Sequence, residues 1–163
     1  MDLDLKSYLL DTTMFNTFLK NQHKTDIEAL RGKGRFYVTN FQKDELSATP
    51  ESKKKDNLLS LFDAIAPEQV ATKTFVISYS KLGAAELSDG MIFNEILSGL
   101  NECERKHGKK RKDNRKDALI GETAERNGYI MVSDDRCLSK VMKSRGVCVM
   151  DWNTFISGMR APS

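Results

Sequence analysis

The amino-acid sequence predicts an α/β fold in which a central, mainly parallel β-sheet is flanked by helices, in a single domain over residues 1–163. Short apolar runs alternate along the chain with segments in which apolar residues recur at helical spacing. The run from 129 to 150 has the strand, helix, strand spacing of a parallel crossover unit. The length suits one sizeable core, since 39% of the residues are hydrophobic and 30% are charged.

Local patterns predict the individual elements in chain order. Runs of apolar, mostly β-branched or aromatic residues predict strands at 8–10, 36–39, 75–79, 129–133 and 147–150. Apolar residues at helical spacing predict helices at about 14–19, 25–30, 58–65, 82–104, 117–127, 136–145 and 153–158. Thr12 or Thr13 is the expected cap of the first helix, and Pro67 ends the third. Two glycines leave open whether the segment 82–104 is one helix or two.

Composition and cysteine usage exclude several classes of protein. The longest apolar runs are far shorter than the roughly 20 residues of a membrane span. The opening residues 1–4 are acidic where a secretory signal is basic. Cys103, Cys137 and Cys148 are odd in number and lack CxxC spacing, so neither a disulfide framework nor a zinc site is expected. We therefore expect a protein of the reducing cytoplasm that does not contact a membrane.

A basic segment occupies residues 105–116. It contains eight Lys or Arg residues against one Asp, which gives a local charge of +7. Since the whole chain carries +3, the other residues together carry −4. A local positive field attracts polyanions such as nucleic acid, and a solvated, flexible loop is the alternative interpretation. The cations expected to position a substrate are Lys109, Lys110, Arg111, Lys112, Arg115 and Lys116.

Four acids lie where a predicted strand gives way to a helix. Asp11 follows the first strand, and Glu45 follows the second. Asp135 follows the fourth strand, and Asp117 opens the helix after the basic segment. In a parallel α/β sheet, ligands collect outside the carboxyl ends of the strands. Carboxylates that lie close together repel one another, and a hard divalent cation such as Mg²⁺ or Mn²⁺ resolves the repulsion. The pattern predicts a metal site.

The four acids belong to four short motifs. These are Leu-Leu-Asp-Thr-Thr-Met-Phe at 9–15, Val-Thr-Asn-Phe-Gln-Lys-Asp-Glu-Leu at 38–46, Asp-Ala-Leu-Ile-Gly-Glu-Thr-Ala at 117–124 and Met-Val-Ser-Asp-Asp-Arg at 131–136. In this order they resemble the opening LLDTNVL, the Glu-Leu helix, the DALIAATA and the LVTND motifs of the PIN-domain nucleases, a family that includes VapC-type toxins. Thr13 stands where that family commonly has Asn or Ser. Gly121 and Glu122 replace two small residues, and Glu122 adds a nearby acid of unknown use.

The resemblance implies a PIN-like fold and an endoribonuclease that depends on Mg²⁺ or Mn²⁺ and acts as a toxin or defence effector. Asp11 and Asp117 are the leading ligands, directly or through water, and Asp135 completes the metal site. Glu45 holds a metal-bound water or acts as a base. Asp134 either binds a second metal or caps the next helix. The implied partners are an RNA substrate, an antitoxin or other regulatory protein, and a second copy of the chain in a homodimer.

The chemistry of phosphodiester hydrolysis suits such a site. The reaction needs an activated water and neutralisation of charge on the scissile phosphate, and a carboxylate-bound Mg²⁺ supplies both. The hydroxyls of Thr12 and Ser133 are expected to position the substrate. Both histidines, His23 and His107, lie in polar stretches, which disfavours a His-dependent nuclease or a serine triad. Trp152 is interpreted as a core or subunit-interface residue.

Three other interpretations stay open from the residues alone. Asp11 and Asp117, taken singly, are also good helix N-caps. The acids are also compatible with a PIN-like nucleic-acid-binding or scaffold module without catalytic activity. A phosphotransfer enzyme that uses Asp11 is disfavoured, because Thr13 stands where a haloacid-dehalogenase-type phosphatase has a second Asp. Metal-dependent cleavage of RNA would separate the nuclease from these alternatives.

Overall fold

A five-stranded parallel sheet forms the centre of the molecule. The computed structural model describes residues 5–21, 27–74, 90–108 and 113–160. The strand order is β3-β2-β1-β4-β5, and every pairing is parallel. The strands are β1 (Ser7–Leu10), β2 (Arg35–Thr39), β3 (Glu68–Val70), β4 (Ile130–Val132) and β5 (Val149–Met150). Because β2 and β3 lie on one side of β1 and β4 and β5 on the other, the strand order reverses between β1 and β4, where α/β sheets form their ligand crevice.

Eight helices are present in the described part of the chain. They are α1 (Thr12–Asn21), α2 (Ile27–Arg31), α3 (Gln42–Ser47), α4 (Ser52–Ile65), α5 (Met91–Lys106), α6 (Arg115–Asn127), α7 (Arg136–Ser144) and α8 (Trp152–Arg160). Among these helices, none is both long enough and apolar enough to cross a membrane. The alternation of helices with parallel strands confirms the predicted α/β architecture.

Alternating side chains of the strands point into two separate cores, one on each face of the sheet. In β1, Tyr8 and Leu10 pack with the apolar faces of α1, α4 and α8, whereas Leu9 packs with those of α5, α6 and α7. Trp152 lies in the first of these cores, with its ring 4.7 Å from that of Phe18 between centroids. Both faces of the sheet are therefore covered, and its strand ends are left as the place for a site.

Several element boundaries differ from the predicted ones. The edge strand β3 was missed because Glu68 and Gln69 are exposed and no apolar run marks it. The predicted strand at 75–79 and the first part of the predicted helix at 82–104 lie outside the described residues. The described helix α5 begins after Gly90, whose φ of 68° is in the left-handed region, and it runs through Gly99 without a break. A Cβ at Gly99 would lie 3.2 Å from Val141, so this glycine allows α5 to approach α7 closely.

The basic segment is not a loop along its whole length. Its first two residues belong to the last turn of α5, and Arg115 and Lys116 form the first turn of α6. The prediction of a loop over 105–116 is therefore wrong at both ends. The error arose because charged residues carry no apolar periodicity, although Lys and Arg are good helix formers. Residues 109–112 lie outside the described part of the chain.

A disulfide between Cys103 and Cys137 corrects the prediction that the cysteines form no such bond. The two residues are 34 positions apart and are brought together where α5 packs against α7, with their Cα atoms 5.7 Å apart. Sequence spacing alone does not reveal this pairing, because it depends on helix packing. Cys148 is a free, exposed cysteine.

Candidate metal centre

Asp11 lies at the carboxyl end of the central strand β1 and is almost completely buried, at 2% exposure. Its Oδ2 accepts hydrogen bonds from Thr13 Oγ1 at 2.8 Å and from Ser133 Oγ at 2.9 Å. Its backbone N–H donates to the carbonyl of Val132 at 3.0 Å, which ties it to the end of β4. Burial raises the pKa of the Asp11 carboxyl; the hydrogen bonds oppose this rise, and the nearby charge of Asp135 adds to it.

Asp135 approaches Asp11 across the reversal of strand order. It precedes α7, and its Oδ1 accepts the backbone N–H of Leu138 at 2.8 Å, so it is the N-cap of that helix. Its own backbone N–H donates to Ser133 Oγ at 3.1 Å. Ser133 therefore bridges the two acids, since the same hydroxyl donates to Asp11.

Asp134 points to a different part of the sheet edge. It is exposed, and its Oδ1 accepts the backbone N–H of Trp152 at 2.9 Å, at the start of α8. The expectation that Asp134 caps the next helix is wrong, because Asp135 caps α7. Between the two neighbours, it is Asp135 whose charge acts on Asp11.

Glu45 is held by contacts from two other elements. It lies in α3, and its Oε2 accepts a hydrogen bond from Thr12 Oγ1 at 2.8 Å. Its Oε1 lies 2.6 Å from Lys116 Nζ, and both side chains of this ion pair are partly exposed. Thr12 is the first residue of α1, and its hydroxyl links the end of β1 to Glu45. Lys116 reaches Glu45 from the basic segment.

Asp117 lies in the first turn of α6, directly after Lys116. The N-cap position of α6 is Asn114, so the interpretation of Asp117 as a helix N-cap is wrong. The amide nitrogen of Asn114 donates to Asn101 and to Glu104, each at 3.0 Å, which anchors the start of α6 on α5. The contact of Lys116 with Glu45 brings this helix start to the same side of the sheet as the other acids.

Hydrogen bonds and one ion pair connect part of the predicted site. Ser133 links Asp135 to Asp11, and Thr12, the residue after Asp11, contacts Glu45. Glu45 in turn pairs with Lys116, which precedes Asp117 in the sequence. The donor set consists of carboxylate oxygens, which are the ligands preferred by Mg²⁺ and Mn²⁺. These four acids all lie in the described part of the chain, and no three of them bring ligand atoms within 4.8 Å of one another. The basic side chain in the set makes its charge less negative than the four acids alone.

Two polar residues at the same strand ends were missed by the sequence analysis. Gln42 is fully buried; its Nε2 donates to the carbonyl of Leu10 at 2.7 Å, and its Oε1 accepts the backbone N–H of Thr39 at 2.7 Å. It fixes the end of β1 against the end of β2. The buried amide of Asn40 has no hydrogen-bond partner among the described residues. No sequence pattern separates these residues from solvated polar ones in the same motif.

Glu122, the additional acid of the third motif, has a structural role. It is completely buried, and its carboxylate accepts hydrogen bonds from the backbone N–H of Thr74 at 3.1 Å and from Thr74 Oγ1 at 2.9 Å. Arg126 Nε lies 3.0 Å from its Oε1 and balances its charge. These contacts tie the segment after β3 to α6, and none of them is with the acids near Asp11.

Two other cations of the basic segment, Arg115 and Lys106, form ion pairs with acids outside the predicted site. Arg115 pairs with Asp113, with Nη2 2.8 Å from Oδ2, on the exposed surface beside Lys116. Lys106 pairs with Glu102 along α5 at 2.7 Å. The expectation that Lys109, Lys110, Arg111 and Lys112 position a substrate concerns residues outside the described part of the chain.

Comparison with known proteins gives likenesses in structure only. No protein-family model and no curated protein sequence matches the chain. The crystal structure of PAE2754 from Pyrobaculum aerophilum matches with a TM-score of 0.55 and 14% identity, over 97% of this chain and 99% of that one. VapBC-1 from nontypeable Haemophilus influenzae has a TM-score of 0.48 and 15% identity, over 90% and 98% of the two chains. FitAcB from Neisseria gonorrhoeae has a TM-score of 0.39 and 16% identity, over 88% and 96%.

Of these three likenesses, the one to PAE2754 exceeds a TM-score of 0.5 and covers nearly all of both chains. At 14% identity it establishes the fold and not the activity. The chain has a PIN-like α/β fold, as its four motifs predicted.

Proposed function

We propose that the chain is a metal-dependent nuclease that hydrolyses phosphodiester bonds of RNA. The observation that carries the proposal is the bridge between two strand ends, in which Ser133 donates to Asp11 and accepts from Asp135. This bridge lies where the strand order reverses, at the position where parallel α/β sheets bind their ligands. The bridge joins the Asp11 carboxylate to the backbone of Asp135, and the charge of Asp135 acts on Asp11.

Asp11, Asp117 and Asp135 are the residues assigned to hold the cation. When bound, Mg²⁺ or Mn²⁺ supplies an activated water and neutralises charge on the scissile phosphate. The N-cap of α7 uses Oδ1 of Asp135, so Oδ2 is the oxygen assigned to the ion. Asp134 is assigned to the start of α8 and not to a second ion.

The burial of Asp11 supports a cation at this position. An ionised carboxylate that is almost completely buried is costly, and the raised pKa of Asp11 reflects that cost. The two hydroxyl donors offset part of it, and a divalent cation would offset the rest.

Glu45 and Lys116 are assigned to the chemical step. Their ion pair is partly exposed, so a phosphate that approaches the site can compete for the ammonium group of Lys116. When Lys116 turns to the phosphate, Oε1 of Glu45 becomes available to take a proton from the attacking water. Thr12 keeps the Glu45 carboxylate in place through Oε2 during this exchange.

Substrate and partners follow from the basic segment and the motifs. Its cations are assigned to the RNA backbone on either side of the scissile bond, since phosphate contacts hold a strand without reading its sequence. The resemblance of the motifs to VapC-type toxins adds an antitoxin-like protein and a homodimer to the proposal.

The deciding experiment incubates the full chain with a labelled single-stranded RNA in the presence of Mn²⁺, Mg²⁺ or a chelator. Cleavage is expected with either ion and none with the chelator. Asp11→Asn should be inactive, and Asp63→Asn, which changes an exposed acid in α4 paired with Lys43, should keep full activity. A wild-type chain that binds RNA but never cleaves it would instead identify a nucleic-acid-binding module.

A further inference from the structure

A second group of metal-ligating side chains lies at the end of α5. One ligand atom each of Cys103, His107 and Cys137 lies within 4.8 Å of the others. Cys103 and His107 are four residues apart and share one face of α5, with Sγ 3.9 Å from Nδ1. Cys137 enters from the first turn of α7. The three residues belong to two helices whose packing alone brings them together.

The chemistry of this group differs from that of the carboxylate site. Cys103 and Cys137 are buried in the core between the sheet and α5 to α7, whereas His107 is exposed. Two thiolates side by side in such a core repel each other, and protonation, a disulfide or a bound cation removes that repulsion. Of these three, the disulfide and the cation hold the two sulfur atoms together. Sulfur and imidazole ligands select Zn²⁺, and oxygen ligands select Mg²⁺ or Mn²⁺.

We propose that the reduced Cys103, His107 and Cys137 group binds Zn²⁺, and that the disulfide is the oxidised, metal-free form of the same site. Two thiolates and one imidazole supply three of the four positions of a tetrahedral zinc site. The exposed side, where His107 lies, leaves the fourth position to water. This zinc site does not depend on the proposed nuclease activity.

The ring of His107 must turn to complete the site. In the disulfide form Nδ1 lies 2.7 Å from the backbone carbonyl of Cys103, its neighbour one helical turn earlier. On reduction, the exposed ring exchanges this carbonyl for the ion. His107 is the C-cap of α5 and its side chain is exposed, so the ring is at the surface end of the helix.

Conversion of the reduced, zinc-bound form to the disulfide form requires a two-electron oxidant, and we assign a peroxide to this role. Two thiolates give up two electrons and form one S–S bond, and Zn²⁺ leaves to solvent. Hydrogen peroxide takes the two electrons and two protons, its O–O bond breaks, and two waters form. A thiol or phosphine reductant reverses the sulfur chemistry and restores the ligands.

Cobalt binding to the full chain tests the proposal. The protein is reduced with a phosphine, freed of metal and titrated with Co²⁺. One equivalent should bind with a thiolate-to-cobalt charge-transfer band, which Zn²⁺ then removes by displacement. Cys103→Ser and Cys137→Ser should each lose the band, and His107→Ala should weaken binding by roughly tenfold or more.

Two controls separate this site from the rest of the molecule. Cys148→Ser, which changes the exposed free cysteine, should keep the band. Asp11→Asn should also keep it, even if that variant loses all activity towards RNA. A band that depended on Asp11, or that survived in Cys137→Ser, would overturn the assignment of ligands.

A measurement on the unaltered chain guards against variants that fail to fold. Zn²⁺ should protect two of the three reduced cysteines from alkylation, as counted by mass, while Cys148 reacts. Peroxide should release the Zn²⁺ to a chromophoric chelator as the disulfide forms. Equal alkylation of all three cysteines with and without Zn²⁺, or no thiolate band in the reduced wild type, would show a plain disulfide and refute the proposal.

Discussion

The two sides of the candidate site are built in different ways. Asp11 and Asp135 follow adjacent strands and are fixed by hydrogen bonds to Ser133 and to backbone groups. Glu45 lies on a helix and is held by the side chains of Thr12 and Lys116, one of them a charged and partly exposed partner. Asp11 and Asp135 are thus preorganised, whereas Glu45 can exchange Lys116 for another partner.

This difference assigns the two sides to different tasks. A cation needs ligands that do not move, because reorganisation of a metal site costs affinity. A residue that exchanges a proton or releases a phosphate contact must be able to change partners. Under the proposed function, the strand side would hold the ion and the helix side would handle the substrate.

Removing a carboxylate of the metal centre should have the largest effect. Asp117→Asn should lower the rate of RNA cleavage by about a thousandfold or more, equivalent to about 4 kcal/mol in the activation barrier, because the amide keeps the shape but loses the charge that holds the ion. Cleavage rates under saturating Mn²⁺ measure the loss. Activity within about tenfold of wild type would remove Asp117 from the ligand set.

Removing cations of the basic segment should weaken binding and leave the chemical step unchanged. Replacement of Lys109, Lys110, Arg111 and Lys112 together by Gln should raise KM and flatten the salt dependence of RNA affinity. The log-log slope should fall by roughly 0.7 for each phosphate that is no longer neutralised. Turnover at saturating RNA should change little. If affinity and slope both stay at wild-type values, these residues form only a solvated loop.

The exchangeable partner of Glu45 should affect turnover more than binding. Lys116→Gln should lower kcat by roughly tenfold, since the ammonium no longer reaches the phosphate in the transition state. Lys106→Gln is the matched control, because Lys106 belongs to the same basic segment but pairs with Glu102 on the surface. An equal effect of the two substitutions on kcat would refute the special role of Lys116.

The burial of Asp11 should make the stability of the protein depend on pH. The pKa of Asp11 is raised in the folded chain above the ordinary value of 3.8. The folded state therefore loses stability as the pH rises above the pKa that Asp11 has in the unfolded chain. In metal-free buffer, Asp11→Asn should match wild type well below pH 3.8 and become the more stable protein as the pH rises through the raised pKa. Thermal or denaturant unfolding across pH measures the difference.

The sign of this difference should reverse when Mn²⁺ is added. The ion binds the wild-type carboxylate and stabilises the folded state by mass action, whereas the amide of the variant offers the ion no charge. A wild type that is more stable than the variant at neutral pH without metal would contradict the cost of burial assigned to Asp11.

The sequence predicted the fold, and it predicted that Asp11 and Asp135 follow strands, because both depend on local patterns. An apolar run followed by an acid predicted the positions of Asp11 and Asp135 after strands. Apolar residues at helical spacing predicted the helices α4 and α7. Edge strand β3 was missed, since a strand with two exposed polar residues has no apolar signature. Glu122 was not recognised as a structural acid, because its partner Thr74 lies 48 residues away.

Contacts between side chains of distant segments explain the other differences. The bond between Cys103 and Cys137 and the support given by Gln42 to the end of β1 arise from packing, which no spacing in the sequence encodes. The sequence alone also did not show which of the two neighbours, Asp134 or Asp135, lies next to Asp11. The direction of their hydrogen bonds separates them, and direction is a property of the folded chain.

Two hydrogen bonds to residues of α5 hold the basic segment at its two ends. His107 bonds back to the carbonyl of Cys103, and Glu104 holds Asn114 at the start of α6. The basic stretch between them is therefore fastened at both of its ends before it reaches Asp117. If the proposed nuclease function holds, changes of charge within 108–113 are expected to alter the affinity for nucleic acid more than the chemical step. Under that proposal, substrate preference and the reaction would depend on separate parts of the chain.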